Sequence, residues 1–131
     1  MDKEKMTDFI ISPSEWSEEV EKTMNKTYPK LSDSAFEFMK NSSVFRVTCD
    51  GETVAFFCLA IDGDEGVMFG AAATGKSAGL YDLCLPYAES LFRGVSSIRA
   101  HVERPGAARV LGRHGYTAQE IVMRKAVKNV G

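Results

Sequence analysis

Val67-Met68-Phe69-Gly70-Ala71-Ala72-Ala73-Thr74-Gly75-Lys76-Ser77-Ala78-Gly79-Leu80 changes its period half-way along. Val67 to about Ala73 reads as a strand, whereas Leu80, Leu83, Cys84, Tyr87 and Leu91 follow helical spacing. Gly94 is predicted to end that helix, and Pro86 inside it removes a backbone bond and predicts a kink. Ile98, Ala100 and Val102 then alternate with Arg99 and His101, the period of a strand. Strand, loop, helix and strand in that order imply a parallel crossover.

Downstream, Ala107, Val110, Leu111 and His114 predict a short helix closed by Gly115, and Thr117 to Val127 reads as a terminal strand. Upstream, Val44–Cys49 and Thr53–Ile61 are joined by Asp50-Gly51, a strong hairpin signal. The second of these strands is apolar on both faces, which places it inside the sheet. Asp62 to Gly66 reads as the turn into Val67. Nearer the N-terminus, Ser12-Pro13-Ser14-Glu15 reads as a capped helix start, with Trp16, Val20 and Met24 behind it, and predicts a helix over 13–27 broken by Tyr28-Pro29. Ser34-x-x-Glu37, with Leu31, Ala35, Phe38 and Met39 on one face, predicts a second short helix closed by Asn41-Ser42-Ser43. The expected class is α/β (α+β): a mixed sheet, mostly antiparallel with a central parallel crossover, and helices on both faces.

Composition narrows the function classes. The 131 residues, 44% hydrophobic and 26% charged, suit one globular domain over residues 1–131. The longest apolar run, Val54 to Ile61, is too short to span a bilayer, and the charged Met1–Lys5 start is unlike a secretory signal, so a cytoplasmic protein is expected. Cys49, Cys58 and Cys84 have no paired spacing, and His101 and His114 have no ligand partners at metal spacing, so neither disulfide nor metal is expected. Residues 1–65 carry 14 acids and 7 bases, a balance of −7, while residues 66–131 carry 4 and 9, a balance of +5. A basic second half suits a polyphosphate ligand and an acidic first half a cationic one, or the two are solvated faces that neutralise one another. With a net charge of −2 and no interleaving of aromatic and basic residues, nucleic-acid binding is not favoured.

The loop carries the chemistry. Glycines and small residues between a strand and a helix leave backbone N–H groups free to converge on an anion at the positive end of the helix. Gly70-Ala71-Ala72-Ala73-Thr74-Gly75-Lys76-Ser77 matches the phosphate loop G-x-x-x-x-G-K-[ST], although no apolar strand ending in a magnesium-binding Asp follows. Gly75-Lys76-Ser77-Ala78-Gly79 matches the G-x-S-x-G elbow of hydrolases only formally, since Asp82, the acid nearest after it, lies inside the same helix.

From residue 12 onward the order of elements resembles the GNAT superfamily of acyl-CoA-dependent N-acyltransferases. The most specific piece is Glu103 to Tyr116, whose Ala107 and Gly115-Tyr116 are similar to the family's "N-x-x-A…Y-x-x-x-G-F" segment. The resemblance implies that the backbone of Phe69, Gly70 and Ala71 pairs with a pantetheine arm and that Thr74, Gly75, Lys76, Ser77, Ala78 and Gly79 wrap a pyrophosphate. It further implies that Arg104, Arg109 and Arg113 reach the phosphates of coenzyme A, with acetyl-CoA as cosubstrate. Counting back from Gly115, the family's Asn falls on Arg104 and its thiolate-protonating Tyr on Leu111. Tyr116 is then the catalytic candidate, with Tyr81 and Tyr87 behind it.

Three functions are therefore open: an N-acetyltransferase acting on a small or peptidic amine; a catalytically silent GNAT-fold binding module, of which phage virion-assembly proteins are one type; and a small phosphate-loop nucleotide-binding protein. A homodimer or an assembly partner is compatible with each.

Overall fold

The computed structural model describes residues 8–74, 79–103, 105–118 and 125. The Asp50-Gly51 hairpin sets the frame. Both residues have positive φ, 52° and 87°, the pairing a tight two-residue turn requires, and they join β2 (Ser43–Cys49) to β3 (Glu52–Asp62). β3 pairs on its other side with β4 (Glu65–Ala72) through a turn at Gly63, whose φ is +67°.

Among the described residues the sheet has five strands in the order β1-β2-β3-β4-β5. The doubly apolar β3 is central, as expected. β5 (Ser97–Ala100) runs parallel to β4 and every other neighbouring pair is antiparallel, so the predicted crossover is present and is carried by α3 (Leu80–Ser90). Val54 is an extra residue on β3, since Val47 faces Ala55 while Thr48 faces Thr53.

Two apolar layers cover the sheet. On one face α1 (Glu18–Thr27) and α2 (Asp33–Lys40) bury Val20, Met24 and Met39 against Val44, Phe56, Val67 and Phe69. On the other, α3 and α4 (Pro105–Arg113) bury Leu80, Leu85 and Leu111 against Val47, Phe57, Leu59 and Met68. Arg46 fastens α1 to the sheet: its guanidinium lies 4.8 Å from the Phe56 ring centre and 2.9 Å from Glu19.

The N-terminus corrects the expectation of a helix over 13–27. Residues Phe9–Ser14 form β1, antiparallel to β2, and the helix starts at Glu18. Ser17, not Ser12, is the cap, its hydroxyl accepting the Val20 N–H. The proline that suits a first helical turn also suits an edge strand, where its missing N–H costs little. The second cap moves as well, from Ser34 to Ser32, which accepts the Ala35 N–H. The third helix ends at Ser90, before Gly94. The terminal strand read over 117–127 lies outside the described residues except at 117, 118 and 125, and 117 and 118 are not strand.

Candidate functional site

The site is built where two parallel strands part. β4 and β5 pair from Glu65–Ser97 to Met68–Ala100, and the His101 N–H makes a last bond to the Met68 carbonyl at 3.1 Å. Two residues further along β4, backbone meets a side chain instead of backbone. The Gly70 N–H donates to the Tyr28 hydroxyl at 2.9 Å, and that hydroxyl faces the carbonyls of Gly70 at 2.9 Å and His101 at 3.0 Å. Tyr28 fills the opening of the wedge.

It arrives there from the C-cap of α1, where its own N–H bonds the Met24 carbonyl at 2.8 Å before Pro29 turns the chain away. Its ring packs edge-on against Phe69, and Phe69 stacks on the His101 ring at 4.5 Å. Only 4% of Tyr28 is exposed, and burial pushes its phenol far above the ordinary range.

Strand alternation decides which backbone groups face this wedge. The Ala73 N–H bonds Val54 on β3, and with Cys58 opposite Phe69 and Phe56 opposite Ala71, the N–H groups of Phe69 and Ala71 are turned to β3. Gly70 and Ala72 are turned the other way. Gly70 is engaged by Tyr28; the Ala72 N–H is the next donor along the same edge. From the opposite layer, Tyr81 approaches Gly70: a Cβ added there would lie 3.7 Å from the Tyr81 hydroxyl. Below this point lies an apolar cavity of about 70 Å³, lined by Gly70, Ala72, Tyr81, Cys84, Ala100 and Leu111 among others.

The fold recurs in solved acetyltransferases. An aminoglycoside N-acetyltransferase in complex with CoA superposes with a TM-score of 0.62 at 12% identity, over 95% of this chain and 98% of its own. A GNAT-family acetyltransferase from Streptococcus pneumoniae gives 0.55 at 13% identity, over 90% and 100%. The chain has the GNAT fold. A ribosomal-protein-alanine N-acetyltransferase from Brucella melitensis gives 0.50 at 16% identity, over 94% and 100%. No family model matches the sequence, and no curated protein sequence does.

Within the GNAT fold the sequence-predicted residues separate. Gly70, Ala71 and Leu111 line the same cavity, with Leu111, the position at which counting back from Gly115 sets the expected tyrosine, buried. Gly79 caps α3 at φ +83°, and no side chain of the cap satisfies the first-turn amides of that helix. Thr74 is half-buried at the end of β4. Gly75, Lys76, Ser77, Ala78 and Arg104 lie outside the described residues. Arg109 is exposed on α4, whereas Arg113 is engaged by Asp82 at 3.1 Å, beside a 2.7 Å contact from the His114 ring to the same carboxylate.

Tyr116 is not brought to the wedge. Its hydroxyl donates to Glu89 at 2.6 Å, in the last turn of α3, and nine residues at 1.5 Å rise put Glu89 roughly 13 Å from the start of that helix. Burial, then Glu89, pushes its phenol far up. Cys58, buried with its thiol pushed up to about 11, is core rather than nucleophile.

Reasoning from the sequence missed Tyr28. Its partners lie 42 and 73 residues away, so no local pattern marks it. The one usable signal was a tyrosine four residues past Met24, in step with Val20 and Met24 at the end of an amphipathic helix, since a buried phenol must find a hydrogen-bond partner.

Proposed function

We propose that this chain is an acyl-CoA-dependent N-acetyltransferase acting on a small or peptidic amine. One observation carries the reading: β4 and β5 part beside an edge of small residues, with the Ala72 N–H facing the gap and the uncapped start of α3 just beyond. Acetyl-CoA as cosubstrate supplies a thioester for the amine to attack.

The residues divide the task. The outward N–H of Ala72 on β4, past the step that Tyr28 occupies at Gly70, supports an extended pantetheine arm as a further strand would. The loop from Thr74 through Gly75, Lys76, Ser77 and Ala78 to Gly79 and the amides of α3 hold the pyrophosphate, with Arg104 and Arg109 adding charge. The apolar cavity against Leu111 excludes water from the reacting group. On the other face, Glu21, Asn25 and Asp33 share a groove with Tyr28, a setting suited to a cationic amine.

A second reading, a silent GNAT-fold binding module, is favoured by Leu111, which offers no proton where the family uses a tyrosine. The phosphate-loop reading loses its context, because Gly70 and Ala71 are inside β4 rather than past its end and, among the described residues, one strand pair alone is parallel.

Thermal denaturation with acetyl-CoA, CoA and Mg-ATP separates the three. At a hundred times Kd, acetyl-CoA is expected to stabilise the chain by about 2.7 kcal/mol, a rise of several degrees in Tm. No shift with either CoA species supports the silent module, and stabilisation by Mg-ATP alone overturns the acyltransferase reading.

A further inference from the structure

We propose that the apolar cavity beneath Gly70 is an acyl-chain pocket, which makes propionyl and butyryl thioesters of coenzyme A better donors than acetyl-CoA. The inference rests on the acyltransferase reading and names the donor class for the same site.

Two anchors fix the direction of the donor. In that reading its phosphates are held beyond Thr74 by the loop and the first-turn amides of α3, and its arm is supported at Ala72. The acyl end therefore points back along β4 towards Gly70, two residues or roughly 7 Å from Ala72. Between the strands that way is closed, because the Tyr28 hydroxyl already bonds the Gly70 N–H and faces the Gly70 and His101 carbonyls. On the α3 side it is open. The cavity of about 70 Å³ lies there, with exposed Ala72 at its mouth and buried Leu85 and Leu111 at its closed end.

The walls suit a hydrocarbon and nothing charged. Among the described residues that line the cavity none is acidic, and the one base, His101, has its ring stacked on Phe69 at 4.5 Å, in the layer that packs under α1. Gly70 keeps the floor clear: a Cβ there would stand 3.7 Å from the Tyr81 hydroxyl, ordinary contact distance, and would take the space a tail needs. Leu111 closes the end with an apolar side chain. Size sets the length. An apolar cavity of about 150 Å³ takes the six carbons of benzene, so one of about 70 Å³ takes about three, which beyond a thioester carbonyl is the tail of butyryl. The transfer itself balances for any of these donors: the N–C bond forms, the C–S bond breaks, and the proton released by the amine ends on the thiol of CoA.

Calorimetric titration of the full chain with acetyl-, propionyl-, butyryl-, hexanoyl- and succinyl-CoA tests the pocket. Kd is expected to fall about fourfold for each methylene from acetyl to butyryl, and to rise again at hexanoyl. Succinyl-CoA, with the same number of carbons as butyryl but a terminal carboxylate, should bind more weakly than butyryl-CoA, since the cavity offers that charge no partner. Cys84 lines the cavity from α3, and Cys84→Leu adds carbon to it, so the ratio of the acetyl to the butyryl Kd should fall towards one. Because the ratio is taken within one protein, a loss of folded chain does not imitate it. Leu111→Ala, read in the same way, should move the tightest binding to hexanoyl.

A wild-type Kd that is flat or rises from acetyl to butyryl overturns the pocket while acetyl-CoA binding leaves the acyltransferase reading standing. A length preference that ignores both substitutions also overturns it, because the preference then arises elsewhere. If no CoA species binds, the acyltransferase reading falls and this inference with it.

Discussion

Gly66 shows how a residue's reason can differ from its apparent one. In sequence it closes the turn-forming run Asp62 to Gly66; in the structure it lies inside β4, opposite Ile61 on one side and Ile98 on the other. A Cβ there would come 2.7 Å from two ring carbons of Phe92, just beyond α3. Gly66→Ala is expected to cost about 1–3 kcal/mol through overpacking, read as a fall in Tm of several degrees. Adding Phe92→Leu should return part of that loss, and a double mutant as unstable as the sum of the singles would show that the ring is not the cause. At this scale the sequence was least legible, because the deciding partners of Gly66 and Tyr28 are distant in the chain. Only where the turn itself dictates the residue, at Asp50-Gly51, did local reading suffice.

Among elements, the start of α1 is the instructive case. The sequence points to a cap at Ser12, and the structure uses Ser17 instead because residues 9–14 form an edge strand on β2. Helix periodicity survived the error, since Val20 and Met24 do face the core. Ser17→Ala should cost about 1 kcal/mol by leaving the Val20 N–H without its cap, while Ser12→Ala should be nearly silent; denaturant melts of the two variants decide between the caps. A second element-level contact joins the start of α3 to the end of α4. Asp82 takes the His114 ring at 2.7 Å and Arg113 at 3.1 Å, and the His114 bond chiefly holds its carboxyl below the usual range. A carboxyl depressed in the folded state adds stability above its unfolded pKa and loses it as pH falls through the folded one. The Tm advantage of wild type over Asp82→Asn should therefore be present at neutral pH and close in acid. Because this carboxylate is exposed, added salt should shrink it.

For the whole molecule, the order of layers was legible because each rests on a repeated pattern. The doubly apolar β3 announced a sheet covered on both sides, and the period change after Ala73 announced the crossover helix. What no pattern carries is the wedge, since a gap between strands is defined by bonds that are not made. Charge is the one global property read directly. The halves differ by twelve charges, −7 over residues 1–65 and +5 over 66–131, and the phosphates of acetyl-CoA fall to the second half in the proposed site. If those bases contribute to the grip, screening must weaken it, because the Debye length falls from about 10 Å at 0.1 M salt to about 3 Å at 1 M. Calorimetric titration across that range should show Kd for acetyl-CoA rising several-fold, and more steeply than Kd for acetyl-pantetheine, which lacks the pyrophosphate. Equal slopes would move the binding energy from the basic half to the backbone of β4 and the amides of α3, leaving the charge division a property of solvated faces.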